Sequence, residues 1–211
     1  LHVAVTEARD DVTVKMLLTD PRVQVNIKDH KGWAPLHFAT CEGLDDLVEL
    51  LLAAKDIDVN LRDHESKSPL LIAAIQGREA VTKLLLADER VDVNSADSRG
   101  RTPLYLAALE GREEVVKLLL EEKRVILNVD DQSYEGWAPL HTAAWGGHEH
   151  LVRLFLADPR VKVNQTDHDG GTPLHLSAIK GHESIVRLLL ADKRVDPSLE
   201  DHDDKTPLHL A

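Results

Sequence analysis

The chain has 211 residues, 43% apolar and 29% charged but only 3% aromatic, so any folded core has to be aliphatic, made of Leu, Val, Ile and Ala. A net charge of −12 repels phosphate backbones and argues against nucleic acid as a partner. No apolar run approaches the roughly 18 residues of a membrane helix, no signal-peptide pattern is present, and the lone cysteine, Cys41, excludes an intramolecular disulfide. That cysteine usage fits a reducing, intracellular setting, cytoplasmic or nuclear.

From the N-terminus, residues 1–28 read as a helical half-unit that runs into "VQVN", ending at Asn26. The hexamer "GWAPLH" follows at 32–37. Its relatives are "SKSPLL" at 66–71, "GRTPLY" at 100–105, a second "GWAPLH" at 136–141, "GGTPLH" at 170–175 and "DKTPLH" at 204–209. The six prolines, Pro35, Pro69, Pro103, Pro139, Pro173 and Pro207, are separated by steps of 34, 34, 36, 34 and 34. Asn26, Asn60, Asn94, Asn128 and Asn164 form a second ladder with steps of 34, 34, 34 and 36, which places two extra residues between Asn128 and Pro139. Glycine stands eight positions past each of the first five prolines, and a small residue four past all six. A fixed period of this length marks an array of stacked units, each burying its apolar face on its neighbours.

Local chemistry predicts the unit. Thr102–Pro103 reads as N-cap and first helical residue: the hydroxyl satisfies an orphan N–H and the proline has none to lose. A short helix then runs to Gly111, which suits a left-handed turn. "EEVVKLLL" at 113–120 predicts a second helix with acids in its first turn, favourable to its dipole. The "VN-x-x-D-x-x-G" stretch predicts an extended finger closing in a turn.

The combined pattern, D-x-x-G-x-T-P-L-H-x-A, then G, V-x-L-L-L and V-N, resembles the ankyrin repeat, and the resemblance covers the whole chain. It implies an all-α repeat solenoid, with a β-turn finger and two antiparallel helices per repeat, in a stacked, right-angled array with a concave groove. One domain, 1–211, would comprise a partial repeat at 1–28, complete repeats at 29–62, 63–96, 97–130, 131–166 and 167–200, and a truncated one at 201–211. The repeat 131–166 carries the two-residue insertion in its finger. The period is one longer than the usual length of about 33, the extra residue lying between "LLL" and "VN", in runs such as "DPRV" and "DERV". Both ends read as interior sequence, so the chain is expected to be an excerpt of a longer array.

Twelve histidines invite a metal or catalytic reading, but the repeat absorbs most of them. His37, His141, His175 and His209 fill the H of "PLH", where the family uses the ring for hydrogen bonds within finger and helix. No nucleophile elbow, Walker loop or zinc-protease motif is present. The expectation is no enzyme, no metal, no cofactor and no small-molecule substrate. The Asp-x-Arg runs at Asp88–Arg90, Asp158–Arg160 and Asp192–Arg194 predict a ladder of surface ion pairs between units. Asn60 and Asn94, each eight residues after a leucine (Leu52, Leu86), resemble targets of an asparaginyl hydroxylase.

Function should lie where the repeat leaves the residue free. In ankyrin arrays those positions are the finger tips and the outer face of the first helix, which line the groove where partners bind. Six positions past each proline stand Cys41, Ile75, Leu109, Trp145 and Ile179, apolar in all five units. Seven past, the residues are mixed and include Lys180. Two before stand Trp33, Lys67, Arg101, Trp137, Gly171 and Lys205. The candidate partner-binding set is therefore Trp33, Cys41, Ile75, Arg101, Leu109, Tyr134, Trp137, Trp145, Ile179 and Lys180. It predicts a non-enzymatic module binding a protein segment through an apolar row with Trp anchors. Two alternatives are a sensor or scaffold arm acting in cis on a catalytic or nucleotide-binding domain, and a structural spacer. In both "GWAPLH" copies the cap hydroxyl is replaced, by Ala34 and Ala138, a loss expected to cost about 1 kcal/mol. Each indole then either packs on its own finger or holds a partner.

Overall fold

The computed structural model describes residues 4–5, 11–129 and 135–211. Among these residues it contains twelve α-helices and no strand. They alternate in two kinds. The first helix of each repeat starts at the repeated proline: α2 (Pro35–Glu42), α4 (Pro69–Gln76), α6 (Pro103–Leu109), α8 (Pro139–Trp145), α10 (Pro173–Ile179) and α12 (Pro207–Leu210). The second helices are α1 (Asp11–Leu18), α3 (Asp45–Leu52), α5 (Glu79–Ala87), α7 (Glu113–Glu121), α9 (Glu149–Ala157) and α11 (Glu183–Ala191). Two compact units contain them, Leu1–Ser98 and Arg99–Ala211. In the first, α2 packs on α3 and α4, and α3 on α1 and α5. In the second, α6, α8, α10 and α12 pack in series, and α9 packs between α7 and α11.

Apart from α12, where only Pro207 is buried, the first helices are largely buried; Pro69 through Ala74 of α4 are all buried. The second helices bury one stripe, such as Val116 and Leu119 of α7, both 0% exposed. Close approach of the first helices depends on the small residue four past each proline, and Ala39, Ala73, Ala107, Ala143 and Ser177 are all fully buried. The turn between helices needs a left-handed residue, which Gly77 supplies at φ 69°.

Capping follows the sequence expectation at three repeats, where the hydroxyls of Ser68, Thr102 and Thr172 accept the third N–H of the helix, at 3.4, 3.3 and 3.5 Å. At Ala34 and Ala138 the same N–H, from His37 and His141, lies 2.9 Å from the N-cap carbonyl in each case. The histidine Nδ1 then accepts the N-cap N–H, at 3.0 Å from Ala34 and 3.1 Å from Ala138. The weak hydroxyl caps mean that their loss in "GWAPLH" costs less than the full value of a good N-cap.

The ladder of ion pairs is also corrected. Asp88–Arg90, Asp158–Arg160 and Asp192–Arg194 pair inside their own repeat, each at 2.6 Å. What joins repeats is the guanidinium's donation to the C-terminal carbonyls of the preceding second helix. Arg90 Nη2 reaches Leu52 O at 2.8 Å, Arg160 reaches Leu120 O at 2.7 Å, and Arg194 reaches Leu156 O at 2.6 Å. A cation there complements the negative end of the helix dipole. Asparagine supplies a second tie. Asn60 Nδ2 donates to Arg90 O and its Oδ1 accepts Asp92 N–H, both at 2.8 Å, and Asn26, Asn128 and Asn164 repeat the arrangement.

Candidate functional site

Each finger is closed by the aspartate that opens its turn. Asp29 Oδ1 accepts the N–H groups of Lys31 and Trp33, both at 2.8 Å, and Asp63 and Asp167 do the same in their own turns. The turn's fourth residue is left-handed: Gly32 has φ 80°, and in the fingers that lack the glycine Ser66 takes φ 63° and Asp204 φ 59°. Neighbouring fingers are stitched by one backbone bond, such as His168 N–H to Glu135 O at 2.9 Å.

The "PLH" histidines join helix to finger. His37 accepts from Ala34 N–H through Nδ1, so its Nε2 carries the proton and donates to Lys67 O on the next finger at 3.2 Å. His141 and His175 make the equivalent bonds to Gly171 O and Lys205 O. Burial holds His37 below the usual histidine value, keeping the ring neutral. Among the described residues, no group of three His, Cys, Asp or Glu is placed to hold a metal ion, and no helix is long and apolar enough to cross a membrane.

Both "GWAPLH" indoles reach forward to the next finger. Trp33 Nε1 donates to Asp63 Oδ2 and Trp137 Nε1 to Asp167 Oδ2, each at 3.2 Å. The second carboxylate oxygen of each turn aspartate is thereby used. These two aspartates were absent from the sequence-based set, although the spacing of 30 residues from each tryptophan was legible there. The rings have different company. Trp33 is half-buried, stacked on His37 at 6.4 Å and edge-on to Phe38 at 5.0 Å. Trp137 lies 5.1 Å from Trp145, and the Lys180 ammonium sits 3.8 Å above the Trp145 ring. Trp137, Trp145 and Lys180, scattered over 44 positions of sequence, thus form one cluster.

The position six past the proline is only partly covered. In the first unit Cys41 and Ile75 are half-buried; in the second Leu109 and Trp145 are half-buried and Ile179 is 49% exposed. Arg101 is half-buried. Tyr134 lies outside the described residues, as does part of the two-residue insertion. Burial, then the neighbouring Glu42, pushes the Cys41 thiol up, which opposes thiolate formation. Its carbonyl accepts Arg78 Nε at 2.9 Å. Asn60 and Asn94 are both half-buried.

Helix pairs alternating with turn-closed fingers, tied from one repeat to the next through asparagine and arginine, define a helical repeat protein of the finger–helix–helix class. The chain belongs to the ankyrin-repeat family: "Ankyrin repeats (3 copies)" matches it at residues 1–97, 70–167 and 140–211. Among solved structures, it is similar to the ankyrin repeat domain of Bcl-3, described as a unique member of the IkappaB protein family. That likeness has a TM-score of 0.91 at 25% identity and covers 100% of this chain and 92% of that one. The ankyrin repeat protein EF0377 is similar with a TM-score of 0.81 at 28% identity, over 90% of this chain and 98% of that one. No curated protein matches the chain. Ankyrin repeats are generally protein–protein interaction modules, and their domains are typically non-catalytic.

Proposed function

We propose that the chain is a non-enzymatic module that binds a segment of a protein partner along its finger-and-first-helix face. The observation that carries this reading is the row six past each proline, which is apolar in all five units and left half-buried or exposed. A spacer has no use for such a row, since partly exposed apolar patches favour interaction. The indole N–H groups of Trp33 and Trp137 are committed to Asp63 and Asp167, so the binding energy falls on Leu109, Trp145 and Ile179 in the second unit. Trp145 is the principal anchor, because its ring is held against Trp137 and carries the Lys180 ammonium. Interfaces of this kind bury about 1,200–2,000 Å². The setting is intracellular, with neither nucleic acid nor a small-molecule substrate as the ligand.

Affinity capture tests this with wild type, Trp145→Ala, Ile179→Asp and an outer-surface control, Arg187→Ala. The first two variants should lose about tenfold or more of the partner while Arg187→Ala keeps it. Equal recovery by all four would sink the reading.

A further inference from the structure

The last two fingers of the second unit lie side by side, with His202 N–H donating to Asp169 O at 2.8 Å. Each opens with an aspartate whose Oδ1 closes its own turn: Asp167 accepts from Asp169 and Gly171, and Asp201 from Asp203 and Lys205. The other carboxylate oxygen separates them. Oδ2 of Asp63 and of Asp167 accepts an indole N–H from the preceding finger. For Asp201 the residue in the indole's place is Gly171, and among the described residues no donor reaches Asp201 Oδ2. Gly171 and Asp201 line a cleft of about 400 Å³, with Asp167, Asp169 and Asp203 on its walls and Ile179 and Leu210 lining it too. Lys205 is the one lysine or arginine lining it, and its ammonium lies 3.6 Å from Asp203. The backbone N–H groups of Lys205 and Asp203 hold the Asp201 carboxyl below the usual range, so it is ionised at neutral pH.

We infer that this cleft receives an arginine side chain of the partner segment, whose apolar neighbour rests on Ile179 and Trp145. The inference rests on the proposed docking face and names the partner's chemistry: a basic segment with arginine next to an apolar residue. Three requirements select arginine. The occupant must bring an N–H donor to the place an indole N–H takes in two other repeats. It must be flat enough to enter between two fingers. It must be positive, because four carboxylates face one ammonium. A guanidinium is planar, carries five donors and pairs with carboxylates bidentately, whereas lysine offers a point charge without the plane.

The test is an NMR titration of the 15N-labelled chain with a capped glycine–leucine–arginine–leucine–glycine peptide and its citrulline and lysine counterparts. The arginine peptide should give saturable shifts at the amides of Gly171, Asp201 and Asp203, with citrulline about tenfold weaker and lysine intermediate. Gly171→Trp, which sets in the cleft the residue that positions 33 and 137 already accommodate, should abolish the shifts. The pair Asp201→Asn, Asp203→Asn should weaken binding comparably and serves if the tryptophan variant folds poorly. Citrulline or lysine binding as well as arginine, or undiminished shifts in either variant, would overturn the inference. The outcome is separable from the docking reading. Loss of partner by Trp145→Ala without arginine shifts at the cleft keeps the docking face and removes the arginine site. Arginine shifts with full partner recovery by Trp145→Ala do the reverse.

Discussion

Trp33 and Trp137 sit in identical hexamers and do the same thing with their nitrogens, yet their rings have different surroundings. Each indole N–H holds the aspartate of the next finger at 3.2 Å. Trp33 packs locally against His37 and Phe38. Trp137 instead backs a second indole, Trp145, which carries Lys180 on its face. Two positions decide the difference: three past the proline stands Phe38 in the first case and Thr142 in the second, and six past it Cys41 and Trp145. The repeated word is thus a structural tie, and under the proposed docking reading the binding potential lies on its neighbour, Trp145.

The largest expected effect comes from removing the shared acceptor. Asp63→Ala and Asp167→Ala each strand two backbone N–H groups and one indole N–H, and each should cost about 2–3 kcal/mol in urea unfolding. Trp33→Phe and Trp137→Phe keep an aromatic ring but remove the indole donor, and should each cost about 1 kcal/mol. Near-equal losses would confirm a common tie, while a much larger loss at 137 would mean that ring contacts dominate there. A backbone contrast sharpens the picture of the fingers. Gly32 occupies its left-handed position without strain, but Ser66 does so with a side chain, so Ser66→Gly should stabilise by about 0.5–1 kcal/mol. The smallest effect is on pH. His37 is held below its ordinary 6.5 by burial, so its contribution is present above that pH and declines as pH falls through it toward the lower folded value. Urea midpoints should therefore fall between pH 7.5 and 5.5, and less steeply in His37→Gln.

Much of the fold was legible because the repeat writes it six times. The prolines gave the starts of the first helices, and the glycine eight residues on gave the left-handed turn. The small residue four past each proline announced the close helix approach that burial of Ala73 and Ala107 bears out. What sequence could not supply was direction in space. Asp88 and Arg90 look equally able to pair within or between repeats, and only the geometry sends the guanidinium to Leu52 O while it keeps its local aspartate. The N-cap hydroxyls could be placed from the pattern, but not the length of their bonds, 3.3 Å at Thr102 and 3.5 Å at Thr172. Gly171 stood in plain view beside Trp137 in the same column of the repeat. Its meaning needed the carboxylate of Asp201, 30 residues away, to be seen without its donor.

The central claim is that Trp145 presents a ring to a partner while Trp137 holds the fold. The most direct test is the partner recovered by Trp145→Ala against Trp137→Phe, each normalised to the folded fraction at the capture temperature. The account predicts about tenfold less partner with Trp145→Ala and near-wild-type recovery with Trp137→Phe. Equal recovery by both, or loss confined to Trp137→Phe, would contradict it.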